Sequence, residues 1–325
     1  MVLGRPVYDS TGNVLLDSGV DLTRIELTTL TKNRVAEIFI EDRRTADVLV
    51  HCPIAPELEA VAAKALSHLI AECRDRREIA GDPAARVEQA VNAMARELFP
   101  EILGEPNLSG CLSMEDYDYV QPAKVASLAM VMGRKAGYAM SDLAGLGLAS
   151  LLMNLGYSLA LPGTINTPNS LAEKVCQEIP RHPQRSAEIL SEYRHFAPGV
   201  AEAVLQHHER WDGSGYPARL KGTEISHFAR IIAIADTYYE LVSRRPDRPA
   251  YMPHEAVEFI LAYSSELFDP ELAQLFTRVV PLYPTGTTVR LSTGEAGIVS
   301  DANLGHIGRP VVRLCTDSQG GALRH

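Results

Sequence analysis

Two adjacent histidines, His207 and His208, are the residues of this sequence best suited to chemistry, because imidazole nitrogens bind metal ions and transfer protons near neutral pH. They follow an apolar helical stretch in which Val200 and Val204 lie on the same predicted face. The glycine-rich segment Asp212–Pro217 comes next and allows the backbone to approach a ligand closely. Such a pair can reach two neighbouring metal positions. The same pattern also fits a helix end whose histidines hydrogen-bond to core carbonyls.

A second candidate is Asp236, which shares a predicted helix face with Ala229, Ile232 and Ala233. A carboxylate on an apolar face is unfavourable unless a cation or hydrogen-bond donors satisfy it. A metal ion is one solution, and an arginine partner or a helix-capping role is the other. His182, which precedes Pro183, also has two alternative interpretations: a metal ligand, or a loop or capping residue.

A pair of arginines, Arg245 and Arg248, lies downstream of these groups. Their spacing of three residues allows both to hold one phosphate through forked hydrogen bonds. Solvated surface charge is the alternative explanation for the same residues.

The elements that carry these residues are helical. From about residue 113 to 282 the apolar residues recur with helical periodicity, and breakers at Pro100–Gly110 and Tyr283–Gly286 bound this stretch. We therefore predict a helical domain over residues 111–283.

The first 50 residues predict a small α/β unit. Its β-rich runs are Val2–Tyr8 and Asn13–Leu16, a short helix is expected after a capping residue at Asp21, and Glu37–Ile40 predicts another strand.

Residues 51–110 predict a helical connector, since apolar residues recur at helical spacing, among them Leu58, Val61, Ala62, Ala65 and Leu69. Two helices joined around Gly81–Pro83 fit this pattern, either as a dimer stalk or packed on the main domain. Residues 284–325 predict a β-like tail, with strands around Val289, Ile298–Val299 and Val311–Leu314. The expected fold class is mainly α, a helical bundle with a small β-rich N-terminal unit and a β-like C-terminal tail.

Composition excludes several classes of function. The 325 residues carry a net charge of −10, which argues against a general nucleic-acid surface. The five cysteines are scattered and form no CxxC pair, which favours a reducing cytoplasm over a disulfide framework. We find neither an apolar run of about 18 residues nor a secretory signal, and expect no membrane association.

The order and spacing of these motifs over residues 113–282 resemble the HD-GYP family, a subset of the HD phosphohydrolases. The matching residues are the segment from His207 to Pro217 together with Ala229–Ile231 and Ile234–Asp236. The resemblance implies an HD-type helical bundle, a divalent metal centre and hydrolysis of cyclic di-GMP to a linear dinucleotide or GMP.

The resemblance also assigns roles to individual residues. The family's metal ligands correspond here to His182, His207, His208 and Asp236. Its contacts to the bases or phosphates of the ligand correspond to Tyr216, Arg245 and Arg248.

The sequence departs from the family at the family's His-Asp signature. The His-Asp pair is replaced by Met153 and Asn154, and the lysine that follows is replaced by Tyr157. A further histidine position is occupied by Gln121, and Tyr239 replaces an acidic residue. Methionine is a poor ligand for iron or manganese. Asparagine keeps one oxygen but lacks the negative charge and half of the bridging capacity of a carboxylate.

These departures predict one divalent ion, iron or manganese, or none, and no catalytic residues. We expect a bacterial cytoplasmic signalling protein that binds cyclic di-GMP, or acts as a regulatory scaffold, without hydrolysing it. Two alternatives stay open. The first is an interaction module for a diguanylate cyclase domain or another signalling protein, and the second is a weak metal-dependent phosphodiesterase. A homodimer is a further expectation.

Overall fold

The structure is a computed structural model that describes residues 1–8, 13–33, 35, 38, 40–41, 47–48, 52–76, 81–98, 117–160, 179–193, 196–243, 249–304, 306 and 308–323.

The described residues of the N-terminal unit form short strands and one helix, namely β1 (Val2–Leu3), β2 (Val7–Tyr8), β3 (Val14–Leu16), α1 (Arg24–Lys32) and β4 (Ile40–Glu41). Strand β1 pairs antiparallel with β4, and β2 pairs antiparallel with β3. The unit has a small core of its own, formed by Leu3, Val7, Leu22 and Leu30.

Helix α1 is capped by Thr23, so the expectation of a cap at Asp21 is wrong. The Thr23 hydroxyl accepts a hydrogen bond from the Ile25 amide at 3.1 Å, and the Glu26 carboxylate accepts one from the Thr23 amide at 3.0 Å. This reciprocal pair is a capping box, in which a threonine and a glutamate three residues later satisfy the free amides of the first turn.

The described residues between 52 and 282 are mainly helical, which confirms the expected fold class. The helices are α2 (Pro56–Arg76), α3 (Gly81–Glu97), α4 (Tyr117–Lys135), α5 (Met140–Leu152), α6 (Leu155–Ala160), α7 (His182–Glu192), α8 (Pro198–Gln206), α9 (His227–Val242), α10 (Pro253–Ala262) and α11 (Pro270–Phe276).

Helices α2 and α3 pack into the same buried core as the helices that follow. Their buried side chains, such as Leu66, Leu69 and Val91, belong to one hydrophobic cluster with residues of α4, α5 and α9. Val61 shares the helical spacing but is 52% exposed. Gly81–Pro83 lies within α3 rather than between two helices, because a proline is tolerated in the first turn of a helix.

The predicted C-terminal strands are confirmed as a three-stranded antiparallel sheet in the order β5 (Thr288–Arg290), β6 (Ala296–Asp301) and β7 (Val311–Thr316). The Arg313 guanidinium of β7 donates a hydrogen bond to a carboxylate oxygen of Asp47 at 2.7 Å. The tail therefore contacts the N-terminal unit. Among the described residues, no helix combines the length and the apolar character needed to cross a membrane.

Candidate functional site

Three histidines meet where α7 begins and α8 ends. His182 is the first residue of α7, His207 directly follows α8, and His208 comes next. One nitrogen from each ring lies within 4.8 Å of the other two. The structure thus brings together three of the four predicted metal ligands.

Hydrogen bonds to the backbone fix the orientation of two of these rings. The Nδ1 atom of His182 donates to the Ile179 carbonyl at 2.6 Å, and that of His207 donates to the Val204 carbonyl at 2.7 Å. Because Nδ1 of each ring carries the proton, Nε2 of each presents a lone pair. The two Nε2 atoms are 3.2 Å apart. Facing lone pairs at this distance favour a proton or a cation between them.

The surroundings disfavour the proton. Burial lowers the pKa of His182 to about 4 and the pKa of His207 to about 3. Burial, followed by the neighbouring His207, holds the pKa of His208 well below its ordinary value. Neutral imidazole is the form that binds metals. Ligating histidines commonly donate their second nitrogen to a carbonyl. The cluster therefore fits one divalent ion bound through imidazole nitrogens.

The loop after the histidines is held by the buried carboxylate of Glu209. This side chain is 2% exposed and accepts hydrogen bonds from the amides of Ala218 at 2.6 Å and Leu220 at 3.1 Å. Gly215 packs so closely that an added Cβ would lie 2.5 Å from the His208 carbonyl oxygen. These contacts place the Tyr216 ring parallel to His208, with 4.9 Å between ring centroids.

A second set of contacts ties the loop to α9 and α11. The Arg230 guanidinium lies over the Trp211 ring and donates to the Asp269 carboxylate at 2.5 Å. The Gln206 side chain accepts a hydrogen bond from the Ser226 amide at 2.6 Å. The loop is therefore braced on both sides of Tyr216 by buried or half-buried polar groups.

Asp236 lies on the buried face of α9, as predicted, but does not join the cluster of three histidines. Its Oδ1 atom accepts a hydrogen bond from Nε2 of Gln121 on α4 at 3.3 Å. Gln121 is 1% exposed and Asp236 is 8% exposed, so this contact lies inside the protein.

The residues at the end of α5 pack in the core and against α7. Met153 is fully buried and belongs to the hydrophobic core. The Ser186 hydroxyl donates to the Met153 carbonyl and accepts from the Gly156 amide, both at 2.9 Å, which fastens this turn to α7. The Tyr157 ring meets His182 edge to face, with 6.1 Å between centroids. The predicted phosphate contacts Arg245 and Arg248 lie outside the described residues.

Comparisons with known proteins identify the family to which the chain belongs. A family model described as an HD domain matches residues 81–272. The cyclic di-GMP phosphodiesterase PA4108 of Pseudomonas aeruginosa is 30% identical over 313 residues, which cover 89% of this chain and 74% of that protein. The chain belongs to the HD-GYP family of HD domain proteins.

Other relatives share parts of this HD-GYP chain. The cyclic di-GMP phosphodiesterase response regulator RpfG of Xanthomonas campestris is 32% identical over 48% of this chain, which spans 41% of that protein. Bd1817, an HDG"Y"P protein from Bdellovibrio bacteriovorus, matches 84% of this chain and 95% of its own with a TM-score of 0.54 and 13% identity. The last similarity concerns the fold alone.

Three residues of this HD-GYP site were not singled out from the sequence: Gln121 as a partner of Asp236, Ser186 and Glu209. Ser186 lies four residues after His182, and this spacing places both on one face of α7. Glu209 is adjacent to the histidine pair, so its position in the motif was a signal. The pairing of Gln121 depends on how α4 packs against α9, which no local pattern reveals.

Proposed function

We propose that this HD-GYP chain binds a cyclic dinucleotide of the cyclic di-GMP type without hydrolysing it, and acts as a receptor or regulatory scaffold. The observation that carries the proposal is the contrast at the site: three histidines converge with neutral nitrogens, whereas Met153 is buried in the core. The names of the relatives, which are cyclic di-GMP phosphodiesterases, support the ligand class.

The residues present support one metal ion, held by His182, His207 and His208. Such an ion would supply Lewis-acid character beside the ligand. Phosphodiester hydrolysis with two metal ions needs ligands that bridge them, and Asn154 offers a neutral amide where a bridging carboxylate is required. We therefore assign no catalytic residue.

Recognition would rest on Tyr216, Arg245 and Arg248. The Tyr216 ring, fixed against His208, offers an aromatic surface for a base, since stacking on an aromatic side chain tolerates any base. Paired arginines suit a phosphate because each guanidinium presents a fork of donors.

The test is a calorimetric titration of the purified chain with cyclic di-GMP, beside Tyr216→Ala, Arg245→Ala and the exposed control Arg290→Ala. Saturable binding that weakens in the first two variants but not in the control supports a receptor. Binding that is absent from the folded wild-type chain excludes it, and leaves a protein-interaction module built on the braced loop.

A weak one-metal phosphodiesterase is the second candidate, and the lone pairs that face each other at His182 and His207 favour it. Turnover of cyclic di-GMP would then require Mn²⁺ or Fe²⁺ and would disappear in His208→Ala. Chromatography of the nucleotide after incubation with stoichiometric protein separates this candidate from a receptor, which returns the ligand intact.

A further inference from the structure

Gln121 and Asp236 form a buried pair, in which a predicted metal ligand outside the three-histidine cluster accepts a hydrogen bond from an amide. Gln121 comes from α4 and Asp236 from α9, two helices packed against each other. Both side chains are more than nine-tenths buried. A carboxylate in such surroundings needs a cation or hydrogen-bond donors.

The chemistry of the amide fixes its orientation. Asp236 offers only acceptors when ionised, so the Gln121 group that faces it at 3.3 Å must be the NH₂ and not the carbonyl oxygen. The Gln121 Oε1 atom therefore points elsewhere. Within the described part of the chain it meets no hydrogen-bond donor. The Gln121 amide therefore donates to the carboxylate while its own oxygen accepts no hydrogen bond from the described residues.

We infer that Gln121 takes the place of a cation at Asp236: its NH₂ group donates to Oδ1 of the carboxylate, and this part of the protein neither requires nor accepts a divalent metal ion. An amide NH₂ group has no lone pair available for a metal, and the hydrogen that it donates occupies one of the directions from which an ion would approach Oδ1. Turning the amide to offer Oε1 to an ion would break its bond to Asp236. Gln121 is accordingly a positioning residue that holds α4 and α9 together without metal.

The isosteric variant Gln121→Glu tests this inference, because it replaces the donor by an acceptor without changing the shape. Two carboxylates then face each other, and a cation relieves their repulsion. We expect the variant to melt at a lower temperature than the wild type in EDTA, and to regain stability with Mn²⁺. Equilibrium dialysis followed by elemental analysis should find one more manganese ion per chain than in the wild type.

Two further variants serve as controls. Gln121→Met removes both the donor and the oxygen, and Asp236→Asn removes the charge. Both should leave the manganese content of the full-length chain unchanged, with folding verified by circular dichroism. Manganese affinity that falls by about tenfold or more in either folded variant would overturn the inference, since Gln121 or Asp236 would then be a ligand.

The inference rests on the proposed histidine site only for the number of ions expected in the wild type. If the wild type takes up no manganese, the histidine site fails as a proposal, but the comparison with Gln121→Glu still decides the role of Gln121. If Gln121→Glu binds no more manganese than the wild type and is not rescued by it, the inference fails while the histidine site stands.

Discussion

The two sides of the candidate site differ in how their polar groups are satisfied. On the side formed by α7 and α8, His182 and His207 donate to backbone carbonyls and direct their remaining nitrogens towards each other. On the side formed by α4, α5 and α9, Met153 packs in the core and Gln121 donates to Asp236. The first side is organised to receive an ion. On the second side the Asp236 carboxylate already accepts a hydrogen bond from the protein, so we expect metal binding and fold stability to be separable.

The largest effects are expected from one substitution on each side of the site, because one should remove metal binding and the other should destabilise the fold. His208→Ala should abolish saturable Mn²⁺ binding. Met153→Ala should leave that binding intact but destabilise the fold by about 2–5 kcal/mol, the usual cost of emptying a buried methionine site. Calorimetric titration with Mn²⁺ and urea unfolding of both variants measure the two effects. Equal loss of metal binding in the two folded variants would contradict the division.

Removing one acceptor oxygen from the Glu209 carboxylate, which holds the loop after the histidines, should have an intermediate effect on the stability of the fold. In the wild type, the amides of Ala218 and Leu220 each donate to one oxygen of Glu209. Glu209→Gln keeps an oxygen for one of these amides but turns an NH₂ group towards the second amide. A buried donor left without its acceptor costs roughly 1–3 kcal/mol. Urea unfolding beside the exposed control Glu258→Gln measures the cost. A change no larger than that of the control would show that the loop is held by other contacts.

Acidification should weaken the histidine side. The pKa values of about 4 for His182 and about 3 for His207 lie below the ordinary value of 6.5. At pH values between the lowered pKa and 6.5, the unfolded chain therefore binds more protons than the folded chain. Stability rises with pH wherever the unfolded state binds more protons. The stability present above pH 6.5 is therefore lost as the pH falls towards 4.

This pH dependence is measured as the melting temperature of metal-free protein between pH 7 and pH 5. His182→Gln should flatten the decline, whereas the exposed His306→Gln should not. Parallel declines in all three proteins would assign the pH dependence to other groups.

The smallest effect is expected far from either side. Thr23→Ala removes the cap of α1 and should cost about 1 kcal/mol, within the range of cap removals. Hydrogen exchange of the α1 amides should report this loss without a change in α7 or α8. Faster exchange in α7 as well would show that the N-terminal unit and the histidine side open together.

Local sequence predicted the residues of this site better than their partners. His207, His208 and Asp236 could be recognised because they follow or share an apolar helical face, whereas the role of His182 was implied only by the resemblance to the family. The hydrogen bonds that His182 donates to the Ile179 carbonyl and that Gln121 donates to Asp236 could not be predicted. The first depends on the turn that precedes α7, and the second on contact between helices separated by more than a hundred residues. At α1, the presence of Glu26 was the local signal that favours Thr23 over Asp21 as the cap.

The separate core of the N-terminal unit has a consequence for exchange between proteins. Leu3, Val7, Leu22 and Leu30 pack among themselves, while polar contacts reach the helices, such as the bond of 2.7 Å from Lys64 to Asn13. Among the residues that the structure describes, the two hydrophobic clusters have no member in common, so a chimera joined at this boundary requires no redesign of the known core packing. Grafting another input unit onto α2 is therefore expected to preserve the helical core.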